Sequence, residues 1–206
     1  MVTTTKKSHW ENIYQNKSLE EVSWYQPTPE TSLSFFEEHS VPKDAKIIDI
    51  GGGDSFLVDH LLKKGYTDIT VLDISSKAIE RAKERLGEKA TAVTWIVADA
   101  ANFKPDHQYD VWHDRAAFHF LTNPDEIANY IKTAAHAINP GGILIMGTFS
   151  EEGPTKCSGI EIKQYSAASL EACFTSGFNK VKSFYTDHTT PSGSVQNFVF
   201  CSFKRK

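Results

Sequence analysis

The 206-residue chain has no apolar run approaching the roughly 20 residues that a membrane span requires. Its opening, MVTTTKKSHWENIY, also lacks the apolar centre of a signal peptide, so the cytoplasm is the expected location. Cysteine is scarce. Cys157, Cys173 and Cys201 are an odd number with no CxxC pair, which argues against a disulfide framework and a cysteine zinc site and favours reduced thiols. An excess of positive charge is missing too: 22 Lys and Arg face 26 Asp and Glu, for a formal charge of −4. No bulk field exists to hold a nucleic-acid backbone, and neither nucleic acid nor membrane is an expected partner. There is no GK[ST] phosphate loop, and the dinucleotide fingerprint G-x-G-x-x-G fails because Phe56 stands at its last glycine position.

What remains is an ordinary soluble composition, 40% hydrophobic and 23% charged, at a length that suits one folded α/β domain. Residues 1–31 carry Trp10, Tyr14, Trp24 and Tyr25 among polar residues and end in Gln26-Pro27-Thr28-Pro29. That segment reads as an N-terminal arm or lid, and residues 32–206 as the single domain. A helix is expected over Thr31–Glu38. From Lys46 onward, apolar β-branched runs alternate with amphipathic stretches. Strands are predicted at Ile47–Ile50, Ile69–Leu72, Thr94–Val97, Tyr109–His113 and Gly142–Thr148, with helices at Phe56–Lys64, Lys77–Leu86 and Asp125–Ile138. This is a doubly wound, mostly parallel α/β sheet. After a loop over Ser150–Gln164 and a helix at Ala167–Ser176, the runs Val181–Tyr185 and Val195–Phe203 predict a closing antiparallel hairpin.

The chemistry gathers at strand ends. Ile47-Ile48-Asp49-Ile50-Gly51-Gly52-Gly53-Asp54-Ser55 sets glycines directly after a buried strand, where backbone can approach a ligand closely. The next two strands each end in an acid, Asp73 in Val71-Leu72-Asp73-Ile74-Ser75 and Asp99 in Val97-Ala98-Asp99-Ala100. In an open parallel sheet the ligand crevice lies at the carboxyl ends, so the glycine loop and both carboxylates converge there. Asp73 suits a bidentate grip on ribose hydroxyls, and Asp99 can accept from an adenine amino group. Singly, each aspartate is more simply a helix cap; in register, the set points to a nucleoside ligand.

With these residues in place, the sequence resembles the class I S-adenosylmethionine-dependent methyltransferases over about residues 30–203. The resemblance rests on Asp49-Ile50-Gly51-Gly52-Gly53, then Asp73, then Asp99, and Asn139-Pro140-Gly141-Gly142 before the fifth strand. It implies a Rossmann-like seven-stranded sheet with a reversed final strand, and S-adenosylmethionine as cofactor. By the same motifs, Asp49 and the loop would lie near the methionine moiety. Asp73 with Ile74 and Ser75 would lie near the ribose, and Asp99 with Ala100 near the adenine. Ser55 stands where many members have a third glycine.

Methyl transfer needs positioning more than covalent help. The candidate catalytic residues are His113, Asp114, Arg115 and His119, in Trp112-His113-Asp114-Arg115-Ala116-Ala117-Phe118-His119-Phe120 at the end of the fourth strand. His113 also lies beside the cofactor. Either histidine can accept a proton near neutral pH, and Arg115 can orient an anionic group. The plainer reading makes Asp114 and Arg115 a structural pair and His119 a packed side chain. The histidines are six residues apart, not the four of a helical zinc pair, and no metal is expected. Trp24 and Tyr25 would shield the cofactor. Loop residue Cys157, beside Lys156, reads as an inert thiol.

Asp114-Arg115 followed by apolar residues is similar to the corresponding segment of thiopurine methyltransferases, which implies a small-molecule site near the arginine. The arm His9-Trp10-Glu11-Asn12-Ile13-Tyr14 with Trp24-Tyr25 is similar instead to the opening of elongation-factor-type lysine methyltransferases. Those usually carry an acid-Lys-Gly where this chain has Asp114-Arg115-Ala116. The leading expectation is methylation of a small-molecule sulfur, oxygen or nitrogen nucleophile, with protein lysine methylation as its alternative. An NAD-dependent oxidoreductase and a non-catalytic cofactor-binding protein stand as other classes, and the oligomeric state is left open.

Overall fold

The computed structural model describes residues 5–206. Helix α1 (Lys6–Asn16) and helix α2 (Glu30–Glu38) precede an alternating run: β1 (Lys46–Ile50), α3 (Leu57–Lys63), β2 (Asp68–Asp73), α4 (Ser76–Leu86), β3 (Val93–Val97) and β4 (Tyr109–Arg115). Helix α5 (Pro124–Ala137) leads into β5 (Ile138–Phe149), and a small hairpin, β6 (Lys156–Cys157) with β7 (Ile160–Glu161), follows. Helix α6 (Ala167–Phe174), β8 (Phe178–Thr189) and β9 (Val195–Arg205) complete the chain.

The seven-stranded sheet has the order β3-β2-β1-β4-β5-β9-β8. β1 pairs in parallel with β2 and β4, β2 with β3, and β4 with β5. Only β9 is reversed, antiparallel to both β5 and β8. The central strands β1 and β2 are buried on both faces because helices cover both, which is why they read as nearly continuous apolar runs. Successive side chains of β1 serve opposite cores. Ile48 and Ile50 join Trp112, Tyr130 and Leu144 on one side, while Ile47 joins Phe36, Val71 and Ile145 on the other.

Helix starts follow local chemistry. Ser75 Oγ accepts the Ala78 N–H ahead of α4, and Asn123 accepts the Asp125 N–H where Pro124 opens α5. Within the arm, where no helix was predicted, Lys6–Asn16 is helical, capped by Thr5, whose side chain accepts from the Ser8 N–H. Trp10 and Tyr14, one turn apart, pack together and against Trp24, a tertiary contact that the proline-rich end of the arm did not reveal. The loop after β5 holds the β6–β7 hairpin, and β8 is longer than the predicted Val181–Tyr185. Asn179, Lys180 and Lys182 make that edge strand look polar, as edge strands commonly do. Among the described residues, no helix is long and apolar enough to cross a membrane.

Candidate active site

Strand order turns back at β1: the chain runs outward through β2 and β3, then returns to place β4 on the other side. A crevice opens at such a reversal, at the carboxyl ends of the strands. Here it is a cleft enclosing about 1300 Å³ when the open space at its mouth is counted. One half lies over β1, β2 and β3 and is lined by Asp49, Gly51, Gly52, Asp73, Asp99 and Ala100, with Ser55 and Ile74 beside them. The other half lies over β4, β5 and β9 and is lined by Arg115, Phe149, Gln196 and Phe198, with Cys157. Trp10, Tyr14, Trp24 and Tyr25 from the N-terminal segment wall it as well.

The glycine loop is shaped by two carboxylates. Gly51 has φ +67°, a left-handed conformation that costs glycine nothing, and a Cβ there would sit 2.7 Å from that of Ala117. A Cβ on Gly52 would overlap the Asp49 carboxylate, and one on Gly53 the Asp73 carboxylate. Asp49 stands opposite His113 in the β1–β4 register, and Nδ1 of His113 lies 2.7 Å from Asp49 Oδ1. His113 Nε2 is 2.9 Å from Ser32 Oγ on α2. With both ring nitrogens engaged, His113 fixes the Asp49 carboxylate.

Asp73 is buried and accepts the Ser75 N–H at 2.8 Å. Burial pushes its carboxyl up to about 7; the Ser75 N–H opposes this, while Asp49, Glu11 and Asp54 add to it. Asp99 Oδ1 accepts the Ala101 N–H at 2.9 Å. Gly53 and Ser75 are not on the cleft wall: Gly53 backs the Asp73 carboxylate, and Ser75 Oγ donates to Glu11 at 2.7 Å while capping α4. Glu11 also accepts the Ser76 and Lys77 N–H groups. Burial opposes its ionisation, but these donors outweigh that and hold it at about 2.

The β4 segment divides by the pleat. His113 and Arg115 face the cleft, whereas Trp112 and Asp114 face α5. Asp114 is buried, accepts from Tyr130 Oη at 2.6 Å and from the Ala117 and Phe118 N–H groups, and its carboxyl is pushed up to about 6 by burial. It makes no ion pair with Arg115. His119 is likewise behind the wall, with Nδ1 accepting the Phe149 N–H at 3.3 Å. Burial, then Arg115, lowers its pKa to about 3. The structure therefore separates the expected catalytic group: Asp114 and His119 are held in packing contacts, because strand alternation and the turn after Arg115 carry them away from the cleft. Sequence reasoning missed Ser32, Phe120, Gln196 and Phe198. The last two come from β9, whose place beside β5 no local signal announces.

The strand order, the reversed β9 and the crevice at β1 define the fold of the class I S-adenosylmethionine-dependent methyltransferases. Residues 47–142 match the family model described as a methyltransferase domain. The chain is 28% identical over 115 residues to malonyl-(acyl-carrier protein) O-methyltransferase 1 of Ilyobacter polytropus, covering 55% of this chain and 41% of that protein. It thus spans less than half of that relative. EEF1A lysine methyltransferase 2 of Mus musculus is 21% identical over 210 residues, covering 94% of this chain and 80% of its own. Among solved structures, the N-methyltransferase NodS of Bradyrhizobium japonicum WM9, in complex with S-adenosyl-l-homocysteine, aligns with a TM-score of 0.69 at 14% identity, covering 95% of this chain and 97% of that one.

Proposed function

We propose that this chain is a methyltransferase that uses S-adenosylmethionine to methylate a small-molecule sulfur, oxygen or nitrogen nucleophile. The observation that carries the reading is the convergence of Asp49, Asp73 and Asp99, on or just beyond three adjacent parallel strands, on one cleft with Gly51 and Gly52. The donor set fits the cofactor. Asp73 accepts one backbone N–H and retains lone pairs for two vicinal ribose hydroxyls. Asp99 has an oxygen to spare for an adenine amino group, and Asp49, oriented by His113, stands at the methionine end.

When bound, S-adenosylmethionine supplies a methyl group already activated by a positively charged sulfur. The chain's own work is then to align the acceptor and to exclude water, with the aromatic walls from Trp10, Trp24, Phe120 and Phe198 doing the latter. His113 acts as a positioning residue for Asp49, and residues 1–31 act as a lid on domain 32–206, with 1–4 outside the described residues. Free cysteines fit a reducing, cytoplasmic setting.

Calorimetric titration with S-adenosylmethionine and with NAD tests the reading. The sulfonium is expected to bind, and Asp73→Ala to weaken it about 30-fold, equivalent to ~2 kcal/mol for a lost charged acceptor. Tight NAD binding with no response to the sulfonium overturns it. A protein lysine acceptor is a second reading, favoured by the near full-length alignment with the mouse lysine methyltransferase. Labelled methyl incorporation into protein fractions, with none into small acceptors, would select it.

A further inference from the structure

The turn that follows β4 contains a strained residue. Ala116 has φ +69°, a left-handed conformation in which a side chain crowds its own backbone and which persists only where the surroundings enforce it. Ser40 and Ser158 share a positive φ, but they lie just past α2 and between β6 and β7, where such conformations are common; of the three, only Ala116 lines the cleft. The enforcement comes from Asp114. Its Oδ1 accepts the Ala117 N–H at 3.0 Å and the Phe118 N–H at 3.1 Å, and its Oδ2 accepts from Tyr130 Oη at 2.6 Å. Tyr130 Oη in turn accepts the Trp112 Nε1–H at 2.9 Å, and the Ala116 N–H donates to the Gly147 carbonyl of β5 at 2.8 Å. Asp114 is buried, and its three donors are all neutral. A carboxylate enclosed in this way is costly, and a glycine at 116 would make the same turn without strain.

The turn builds the wall between the glycine loop and the end of β4. Ala116 and Ala117 both line the cleft, and the Ala117 methyl lies against Gly51, filling the place where a Cβ on that glycine would stand. Three residues on from Ala117, the Phe120 ring meets Trp10 of α1 at 4.9 Å. Resting on the methyltransferase reading, we propose that Asp114, braced by Tyr130, is a positioning residue that holds the Ala116 turn in its left-handed form and so fixes the Ala117 wall of the cofactor half against Gly51. Asp114 stands behind this wall and acts through the turn. Without its charge the turn divides between the strained form and a relaxed one. Only the strained form presents Ala117 to the glycine loop, so apparent cofactor affinity falls by the fraction lost.

A four-protein cycle tests this: wild type, Asp114→Asn, Ala116→Gly and the double variant, each titrated calorimetrically with S-adenosylhomocysteine well below its melting temperature. Asp114→Asn should weaken binding about tenfold in the wild-type background but by no more than about threefold in the Ala116→Gly background, because glycine adopts the turn unaided. Ala116→Gly by itself should raise the melting temperature by about 2–4 °C. Tyr130→Phe removes the brace without touching the cleft; it should weaken binding in the same direction and be rescued in the same way, and it serves if Asp114→Asn does not fold. Wild-type affinity in Asp114→Asn overturns the proposal, as does an equal loss in both backgrounds or a melting temperature lowered by Ala116→Gly; a merely structural aspartate would lower the melting temperature and leave affinity unmoved. If the wild-type protein fails to bind S-adenosylhomocysteine, the methyltransferase reading falls, and amide exchange of the ligand-free proteins still reads the turn. Exchange at Ala117 and Phe118 should then be faster in Asp114→Asn and slower again in the double variant, and unchanged exchange refutes the role given to Asp114.

Discussion

Asp73 is a carboxyl whose usefulness depends on its burial. In the ligand-free protein it ionises at about 7, because it is enclosed near Asp49 and Glu11 with one N–H donor. Only the ionised form accepts two ribose hydroxyls at once. Cofactor affinity is therefore expected to be flat above pH ~7 and to fall about tenfold per unit below it, with Asp73→Asn removing the dependence; calorimetry across pH 5–9 measures both, and a flat wild-type profile would contradict it. The effect on stability has the opposite sign. The folded pKa is raised above the unfolded value of ~4, so this group favours folding most below pH ~4, and that contribution is lost as pH rises through ~7. Asp49, Asp73 and Asp99 were legible in the sequence because each sits at a strand end, which topology makes significant. The part played by Ser32 was not, since it meets His113 across 81 positions of chain.

At the scale of elements, α1 is tied across the cleft to the start of α4. Glu11 accepts from Ser75 Oγ and from the Ser76 and Lys77 N–H groups, and Arg81 donates back to the Tyr14 and Lys17 carbonyls. An acid at a helix N-terminus is favourable in itself, and here it also anchors α1. Glu11→Gln should raise amide exchange over Lys6–Asn16 roughly tenfold, equivalent to ~1.4 kcal/mol of hydrogen bonding, while exchange in β4 and β5 is unchanged. Hydrogen-exchange mass spectrometry resolves the two regions, and equal change in both would show global destabilisation instead. The helix itself escaped sequence reading because its aromatic face, Trp10 and Tyr14, is defined by partners on Trp24 and Phe120 rather than by a long apolar repeat.

For the whole molecule, the decisive event is the insertion of β9 between β5 and β8. Phe200 on β9 packs against the space left by Gly147, where any Cβ would overlap its ring, and stacks with Phe35 and Phe184. Phe200→Ala should cost about 3–5 kcal/mol, read from urea denaturation, because the ring joins the sheet to α2; a loss below ~1 kcal/mol would mean that β9 is held by its backbone ladder alone. The same insertion carries Phe198 and Gln196 to the cleft and sets a ring beneath Arg115. The amino-acid order alone determined the alternation of strands and helices, the glycine loop and the acids at its level. These follow from periodicity, backbone freedom and local capping, all of which act over a few residues. Which side chains of β4 face the cleft, what surrounds Arg115 and how the N-terminal helix comes to line the cleft were decided only in three dimensions. Each depends on pairings between segments far apart in the chain, and no nearby pattern encodes them.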